Sequence, residues 1–154
     1  MMKITILYGT ETGNSEMLCE DLESEFGGDH EIELRNLSDV APDEMDLSVF
    51  HVLVCSSYGD GELPASAKPF VEALTASDTD LSGLRFAIFG LGDSEYETYG
   101  QGSEQLADML VKHKAEQIGP RLIHDVQSGD LAEDLAFPWF EERVAEMAAL
   151  SDAA

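Results

Sequence analysis

The stretch "ITILYGTETGNSEMLCEDLESEF", residues 4–26, contains the pattern of a strand, a loop and a helix in immediate succession. Its first part is a short apolar run rich in β-branched residues, which is typical of a buried strand. Its last part places Leu18, Leu22 and Phe26 on one helical face before a pair of glycines ends the helix. Between the two, residues 9–15 crowd glycines and hydroxyl side chains where the strand must turn into the helix. The pattern predicts a βα unit and raises the question of which ligand such a loop would hold.

The same alternation continues along the chain. Strands are predicted at 3–9, 30–37, 50–57, 84–92 and 119–126, and helices at 16–26, 65–74, 103–113 and 137–150. Pro138 then falls in the first turn of the last helix, where its missing N–H costs no hydrogen bond. Residues 38–48 are interpreted as mostly loop, and residues 151–154 as a frayed tail after a single domain at 1–150. Strands interleaved with helices predict an α/β fold of three layers, with a parallel sheet covered by helices on both faces.

Charge excludes several classes of function. The chain of 154 residues has 32 acidic and 8 basic residues, a formal net charge of -24. Such a surface repels nucleic-acid phosphates and anionic lipid headgroups, so neither nucleic acid nor membrane is an expected partner. The acidic residues serve either solubility or the attraction of basic partner proteins, and composition leaves both open. With no long apolar run and no leader pattern, we expect a cytoplasmic protein.

Cysteine and histidine usage gives no metal or disulfide signal. Cys19 and Cys55 are isolated and are interpreted as small buried hydrophobic residues. The four histidines are scattered without metal-ligand spacing, and we assign them no catalytic role.

Three loops that follow predicted strands carry unusual residues. They are residues 9–15 after the first strand, 57–64 after the third and 90–102 after the fourth. In the strand order 2-1-3-4-5, strands 1, 3 and 4 are neighbours, and ligands bind beyond their carboxyl ends at the point where the order reverses. The three loops are therefore expected to converge on one site.

The first loop has the chemistry of a phosphate cradle. Thr10, Thr12, Asn14 and Ser15 offer side-chain donors, Gly13 permits close backbone approach, and the helix that follows offers free N–H groups. No Lys or Arg is present, so the loop lacks the lysine of nucleotide-hydrolysing loops and suits a phosphate that is held and not cleaved. Taken alone, the loop favours an ordinary helix N-terminus with turn glycines over a phosphate site.

The other two loops each present a tyrosine flanked by glycines. Tyr58 and Tyr96 are predicted to be exposed unless a ligand covers them. A single such tyrosine is usually a surface residue without a binding role, but two on converging loops favour a flat ligand stacked between their rings. Together with the phosphate cradle they favour an aromatic phosphate ester such as flavin mononucleotide (FMN).

Three motifs resemble those of the flavodoxin family: "YGTETGNSE" (8–16), "SSYGDGELP" (56–64) and "FGLGDSEYETYG" (89–100). The similarity is greatest to MioC-like flavodoxins and to the FMN domains of diflavin reductases, and it covers essentially the whole chain. It implies a flavodoxin-like fold with the sheet order 2-1-3-4-5, bound FMN and one-electron transfer without substrate turnover.

The resemblance also implies which residues contact FMN. Those expected around the phosphate are Thr10, Glu11, Thr12, Gly13, Asn14 and Ser15, and those expected around the ring are Ser57, Tyr58, Gly59, Asp60, Leu91, Gly92, Asp93, Tyr96 and Tyr99. Tyr58 and Tyr96 would stack on opposite faces of the isoalloxazine. Gly59 would control redox behaviour, because its peptide can rotate so that its carbonyl accepts the hydrogen on N5 of the half-reduced flavin. Tyr58 replaces the tryptophan of many short flavodoxins, and Asp93 replaces the asparagine of diflavin domains.

Acidic residues lie within the predicted flavin loops: Asp60, Glu62, Asp93, Glu95 and Glu97. They either make addition of a second electron harder than the first or are simply solvated loop charges. The resemblance implies an NAD(P)H-dependent flavodoxin or ferredoxin reductase as electron donor and redox enzymes as acceptors, met through basic patches by a monomer.

Two other functions stay open: a flavin-dependent NAD(P)H:quinone reductase, and a flavodoxin-like interaction module that has lost FMN. A phosphoacceptor response regulator is disfavoured, because the required acids and lysine are missing after the first, third and fifth strands.

Overall fold

A computed structural model describes residues 2–10, 13–56, 63–93 and 100–153 of the chain. Its strands are β1 (Lys3–Gly9), β2 (Glu31–Asn36), β3 (Phe50–Ser56), β4 (Arg85–Gly92), β5 (Glu116–Gln117) and β6 (Leu122–Asp125). Its helices are α1 (Asn14–Phe26), α2 (Lys68–Thr75), α3 (Gln101–Lys112) and α4 (Ala132–Ala153). All strand pairs are parallel, the sheet order is β2-β1-β3-β4-β5, and β6 also pairs with β4. The predicted order 2-1-3-4-5 is confirmed.

The sheet is buried on both faces. One apolar cluster packs α1 and α4 against the sheet through residues such as Leu22 and Phe140, and a second packs α2 and α3 through Phe70 and Leu106. β3 has no polar alternation because both of its faces are covered. Trp139 of α4 is a core residue, with its ring edge-on to that of Phe89 at 5.4 Å between centroids. The predicted three-layer arrangement is confirmed.

β2 is an edge strand and differs from the central strands. Its exposed side chains alternate with half-buried ones, and the exposed set is Glu31, Glu33 and Arg35. Residues 38–48, predicted to be mostly loop, contain only short 3₁₀ turns, at 37–39 and 42–44.

The predicted fifth strand, 119–126, is wrong in its bounds, because β6 covers only Leu122–Asp125 of it and a separate short strand, β5, lies before it at Glu116–Gln117. Gly119 lies between the two pieces with a φ of +72°, and Pro120 follows it. A Cβ at Gly119 would overlap the guanidinium of Arg143 from α4, so only glycine fits there. β5 pairs with the beginning of β4 and β6 with its end, where Leu91 is opposite His124. The break therefore brings His124 to the carboxyl edge of the sheet.

The predicted start of the last helix, and with it the position of Pro138 in a first turn, is also wrong. α4 begins at Ala132, so Pro138 lies inside the helix. Glu133 and Asp134 occupy the first turn, where negative charge interacts favourably with the helix dipole. Pro138 has no N–H, so the carbonyl of Asp134 lacks its usual helical donor. α4 continues through Ala153, and fraying of that end stays a prediction.

Among the described residues, the helices are too short or too polar to cross a membrane.

Candidate functional site

A cavity of about 450 Å³ opens at the carboxyl edge of the sheet. Its walls come from the first turns of α1, the ends of β3 and β4, the end of β6 and the beginning of α4. The lining residues are Asn14, Met17, Leu18, Asp21, Ser56, Leu91, Gly92, Asp93, His124, Val126, Ala132 and Glu133. This volume is in the range of small-molecule and cofactor sites. It is the edge at which the sequence predicts the ligand.

Several predicted contact residues meet at this cavity. Asn14 of the first loop lines it together with Leu91, Gly92 and Asp93 of the β4 end. Thr10 and Gly13 lie in the β1–α1 connection and Ser15 is the second residue of α1, and none of the three lines the cavity. The other predicted contacts lie outside the described residues: Glu11, Thr12, Ser57, Tyr58, Gly59, Asp60, Tyr96 and Tyr99. The stacking of two tyrosines on the ring therefore stays a prediction.

The β1–α1 connection is pinned by hydrogen bonds at its beginning and at its end. The Thr10 N–H donates to Ser66 Oγ at 2.7 Å, and the Ser66 N–H donates to the Thr10 carbonyl at 3.2 Å. The Gly13 N–H donates to Thr10 Oγ1 at 2.8 Å. Gly13 has a φ of +98° and caps α1, a conformation that glycine adopts without strain. Sequence reasoning missed Ser66, because no motif marks a serine that anchors a loop 56 positions earlier in the chain.

Ser15, the second residue of α1, has a hydroxyl without a partner. Its side chain is fully buried, and no hydrogen bond reaches its Oγ among the described residues. The first helical bond of α1 runs from the Met17 N–H to the Gly13 carbonyl, so the amides of Asn14 and Ser15 also lack helical partners. A buried unpaired hydroxyl is costly, and an acceptor at a helix N-terminus would satisfy it together with these amides. The residues present therefore fit the phosphate of FMN.

The remaining walls of the cavity are apolar, with acidic residues at intervals. Met17, Leu18, Leu91, Val126 and Ala132 supply apolar surface suited to a flat ring. The charged residues that line the cavity are all carboxylates: Asp21, Asp93 and Glu133. Of the described lining residues none is Lys or Arg, in keeping with a ligand held by neutral donors.

A carboxylate of α1 also acts on a tyrosine of β1 outside the cavity lining. The pKa of the Tyr8 hydroxyl is raised, first by burial and then by the carboxylate of Glu16. The phenol therefore stays neutral and adds no further charge.

Eight lining residues were not among the predicted contacts: Met17, Leu18, Asp21 and Ser56, which lie close to the predicted loops, and His124, Val126, Ala132 and Glu133. The last four come from the β6–α4 region, after the end of the last motif at residue 100, and none of the three motifs includes them. His124 is 8% exposed, and its Nε2 lies 2.6 Å from the carbonyl oxygen of Asp130. The only signal in the sequence is that these residues follow the fifth strand, whose carboxyl end lies at the same edge.

A family model for flavodoxins matches residues 6–139. The chain belongs to the flavodoxin family. FMN is the family's cofactor and electron transfer its function, so both predictions from the motifs are confirmed at the level of the family.

Relatives within and beyond the flavodoxin family support this assignment. The chain is 33% identical over 142 residues to the MioC homolog of Haemophilus influenzae, covering 90% of this chain and 94% of that one. It is 33% identical over 149 residues to NADPH-dependent diflavin oxidoreductase 1 of Aspergillus fumigatus, covering 89% of this chain but only 23% of that protein. It therefore spans about a quarter of such a diflavin relative. The crystal structure of oxidised Flavodoxin 2 from Bacillus cereus superimposes with a TM-score of 0.79 at 28% identity, covering 94% of this chain and 99% of that one.

Proposed function

We propose that this chain is a one-electron carrier that holds FMN in the cavity at the carboxyl edge of the sheet and turns over no substrate of its own. It takes electrons from an NAD(P)H-dependent flavodoxin or ferredoxin reductase and passes them to redox enzymes. The observation that carries the proposal is the buried hydroxyl of Ser15 at the α1 N-terminus, which has no partner among the described residues and lies beside the lining residue Asn14 of a cavity of about 450 Å³.

Each part of the site has a distinct role in this proposal. Ser15 and the first amides of α1 hold the phosphate, while Thr10 and Ser66 fix the shape of the loop. Leu91 and Val126 supply apolar surface for the ring and exclude water from it. When bound, FMN supplies the redox chemistry, since it accepts and releases single electrons.

The carboxylates of the cavity tune that chemistry by their charge. Asp21, Asp93 and Glu133 place negative potential at the site. One such charge ~10 Å away at an effective dielectric constant of ~20 disfavours an added electron by about 1.7 kcal/mol before salt screening. Several of them would separate the two one-electron steps of the cofactor.

The mouth of the cavity supports a docking role for basic partner proteins. Met17, Val126 and Leu131 are 64%, 59% and 60% exposed, which is unusual for large apolar side chains. Met17 and Val126 line the cavity, and Leu131 directly precedes the lining residue Ala132. An apolar centre with carboxylates around it suits a partner with a basic rim and favours fast, weak, salt-sensitive encounters.

Both cysteines are free and buried. Free thiols are ordinary in the reducing cytoplasm, which we propose as the location of this protein, as a monomer.

Anaerobic photoreduction of the purified protein tests the proposal. A carrier is expected to bind one FMN per chain and to be reduced in two separate one-electron steps, seen in the visible spectrum. Direct bleaching by NAD(P)H with turnover of a quinone would instead establish the quinone reductase. A colourless protein that does not bind added FMN would refute the carrier and support the flavodoxin-like interaction module.

The docking surface has its own test. Leu131→Gln, at an exposed residue that does not line the cavity, is expected to raise the KM for the chain in reduction by an NADPH-dependent ferredoxin reductase, with FMN content unchanged. The matched control is Val111→Gln, because Val111 is also exposed, at 49%, but lies near the far end of α3. Equal KM values for the two variants would refute docking at the cavity mouth.

A further inference from the structure

His124 is buried in the wall of the cavity. It lies in β6 opposite Leu91 of β4, is 8% exposed, and lines the cavity with Leu91 and Val126. Neither the motifs nor the family resemblance assigns it a role.

One ring nitrogen of His124 is tied to the backbone six residues later. Nε2 lies 2.6 Å from the carbonyl oxygen of Asp130. Because a carbonyl oxygen can only accept, Nε2 carries the hydrogen and donates it. The bond closes the segment 125–130 into a turn that connects β6 to α4.

Three other hydrogen bonds within this turn are short-range and exposed. The Gln127 N–H donates to Asp125 Oδ1 at 2.9 Å, Ser128 Oγ donates to the Asp125 carbonyl at 2.7 Å, and the Asp130 N–H donates to Ser128 Oγ at 3.2 Å. Exposed bonds of this kind contribute little each, because water competes for the same groups. The bond from the buried His124 ring is therefore expected to hold the turn more firmly than any of these three.

The position of the turn determines the position of several cavity residues. Val126 lies in the turn itself, and Ala132 and Glu133 begin α4 directly after it. Gln127 also reaches across to β4, where its Nε2 donates to Asp93 Oδ1 at 2.9 Å. Asp93 is one of the residues predicted to contact the flavin, so the turn reaches two sides of the same cavity.

We propose that His124 is a positioning residue that holds the β6–α4 wall of the FMN cavity in its binding-competent arrangement, through the hydrogen bond from Nε2 to the Asp130 carbonyl. The inference rests on the proposed function of the cavity. If the turn is closed in only a fraction of the molecules, the apparent affinity for FMN is the intrinsic affinity multiplied by that fraction.

Two substitutions separate the hydrogen bond from the ring. His124→Phe keeps a planar ring but removes the donor, and His124→Gln keeps an amide N–H close to the position of Nε2. The expected result is an FMN dissociation constant raised about 10-fold in His124→Phe and rescued to near the wild-type value in His124→Gln. The affinity for inorganic phosphate, which probes only the α1 N-terminus, is expected to stay unchanged in both.

The chain offers a matched control in His113. Its Nδ1 makes the same kind of bond, to the Thr79 carbonyl at 2.8 Å, but at the opposite edge of the sheet. His113→Phe is expected to lower the melting temperature without changing the dissociation constant for FMN. A purely structural role for His124 would make the two phenylalanine variants alike.

FMN fluorescence titration and hydrogen exchange of amides 126–131 in the FMN-free protein form the closing experiment. Faster exchange in His124→Phe but not in His113→Phe, together with weaker FMN binding, supports the inference. Unchanged exchange in His124→Phe, or failure of His124→Gln to restore affinity, overturns it. If the wild-type protein binds no FMN, the proposed function fails, while the exchange result still decides whether His124 holds the turn.

Discussion

Replacing Ser15 by alanine should change the stability of the FMN-free protein and its affinity for FMN in opposite directions. The Ser15 hydroxyl is fully buried and makes no hydrogen bond among the described residues. Ser15→Ala removes this unpaired group from the FMN-free protein, so the free energy of unfolding should rise. The same change removes a donor from the phosphate site, so FMN should bind more weakly.

The magnitudes follow from the burial of the hydroxyl. A buried polar group without a partner costs about 1–3 kcal/mol, and alanine favours a helix by up to ~0.5 kcal/mol more than serine. We expect the FMN-free variant to be more stable by about 1–2 kcal/mol. A hydrogen bond to a charged phosphate contributes about 1.5–3 kcal/mol, so the dissociation constant should rise by roughly 10- to 100-fold.

Ser103 supplies the control for burial. It is also fully buried, but its Oγ donates to the Gly100 carbonyl at 3.0 Å and accepts from Arg121 at 2.8 Å. Ser103→Ala should therefore destabilise the protein by about 1–3 kcal/mol. Urea denaturation of the FMN-free proteins and fluorescence titration with FMN measure both quantities. A Ser15→Ala variant that is destabilised as much as Ser103→Ala would refute the argument, because it would show that the Ser15 hydroxyl is already satisfied within the protein.

Three further predictions concern two kinds of group: buried side chains that titrate, and a glycine that is predicted to contact the flavin. Burial lowers the pKa of His51, so the folded protein resists its protonation and the free energy of unfolding should fall as the pH drops below about 6.5. His51→Asn, which does not titrate, should weaken that decline in urea denaturation measured above and below this pH, and an identical pH profile would count against the assignment. Burial also raises the pKa of Cys55 to about 12 and that of Cys19 well above its ordinary value, so iodoacetamide should modify neither thiol until denaturant is added, as mass spectrometry would show. Gly59→Ala should destabilise the half-reduced flavin, which narrows the gap between the two reduction potentials, and should leave the affinity for phosphate nearly intact. Spectroelectrochemical titration measures the potentials and a phosphate titration measures the affinity. A loss of phosphate affinity as large as the loss of half-reduced flavin would contradict the predicted role of Gly59.

The sheet was predictable because its signals are local and strong. β3 and β4 are continuous apolar runs, and such runs separated by helical patterns indicate a parallel sheet buried on both faces. The order of the strands required the resemblance to a family, since periodicity alone does not rank them.

The errors at the end of the chain have physical causes. The break between β5 and β6 depends on Arg143 of α4 occupying the space above Gly119, a contact that no local pattern reveals. The predicted start of α4, residue 137, is later than the observed start at Ala132, because a proline such as Pro138 is typical of a first helical turn. The acidic residues Glu133 and Asp134 mark the actual first turn.

The candidate site was predictable to the extent that it lies in motifs. Asn14, Gly92 and Asp93 were expected at the cavity and are found there. Ser66 and His124 were not expected, because the side chain of each acts through one hydrogen bond to a backbone group of a loop, and no local sequence pattern marks such a contact.

The exposed face of β2 has a consequence for the behaviour of the protein at high concentration. Glu31 and Glu33 are exposed on this edge strand, so a second copy aligning its own edge alongside would bring carboxylates of like charge together. This repulsion opposes edge-to-edge aggregation. Replacing both residues by glutamine removes it, and the variant should then aggregate at concentrations at which the original protein stays in solution, while the central strands are still folded.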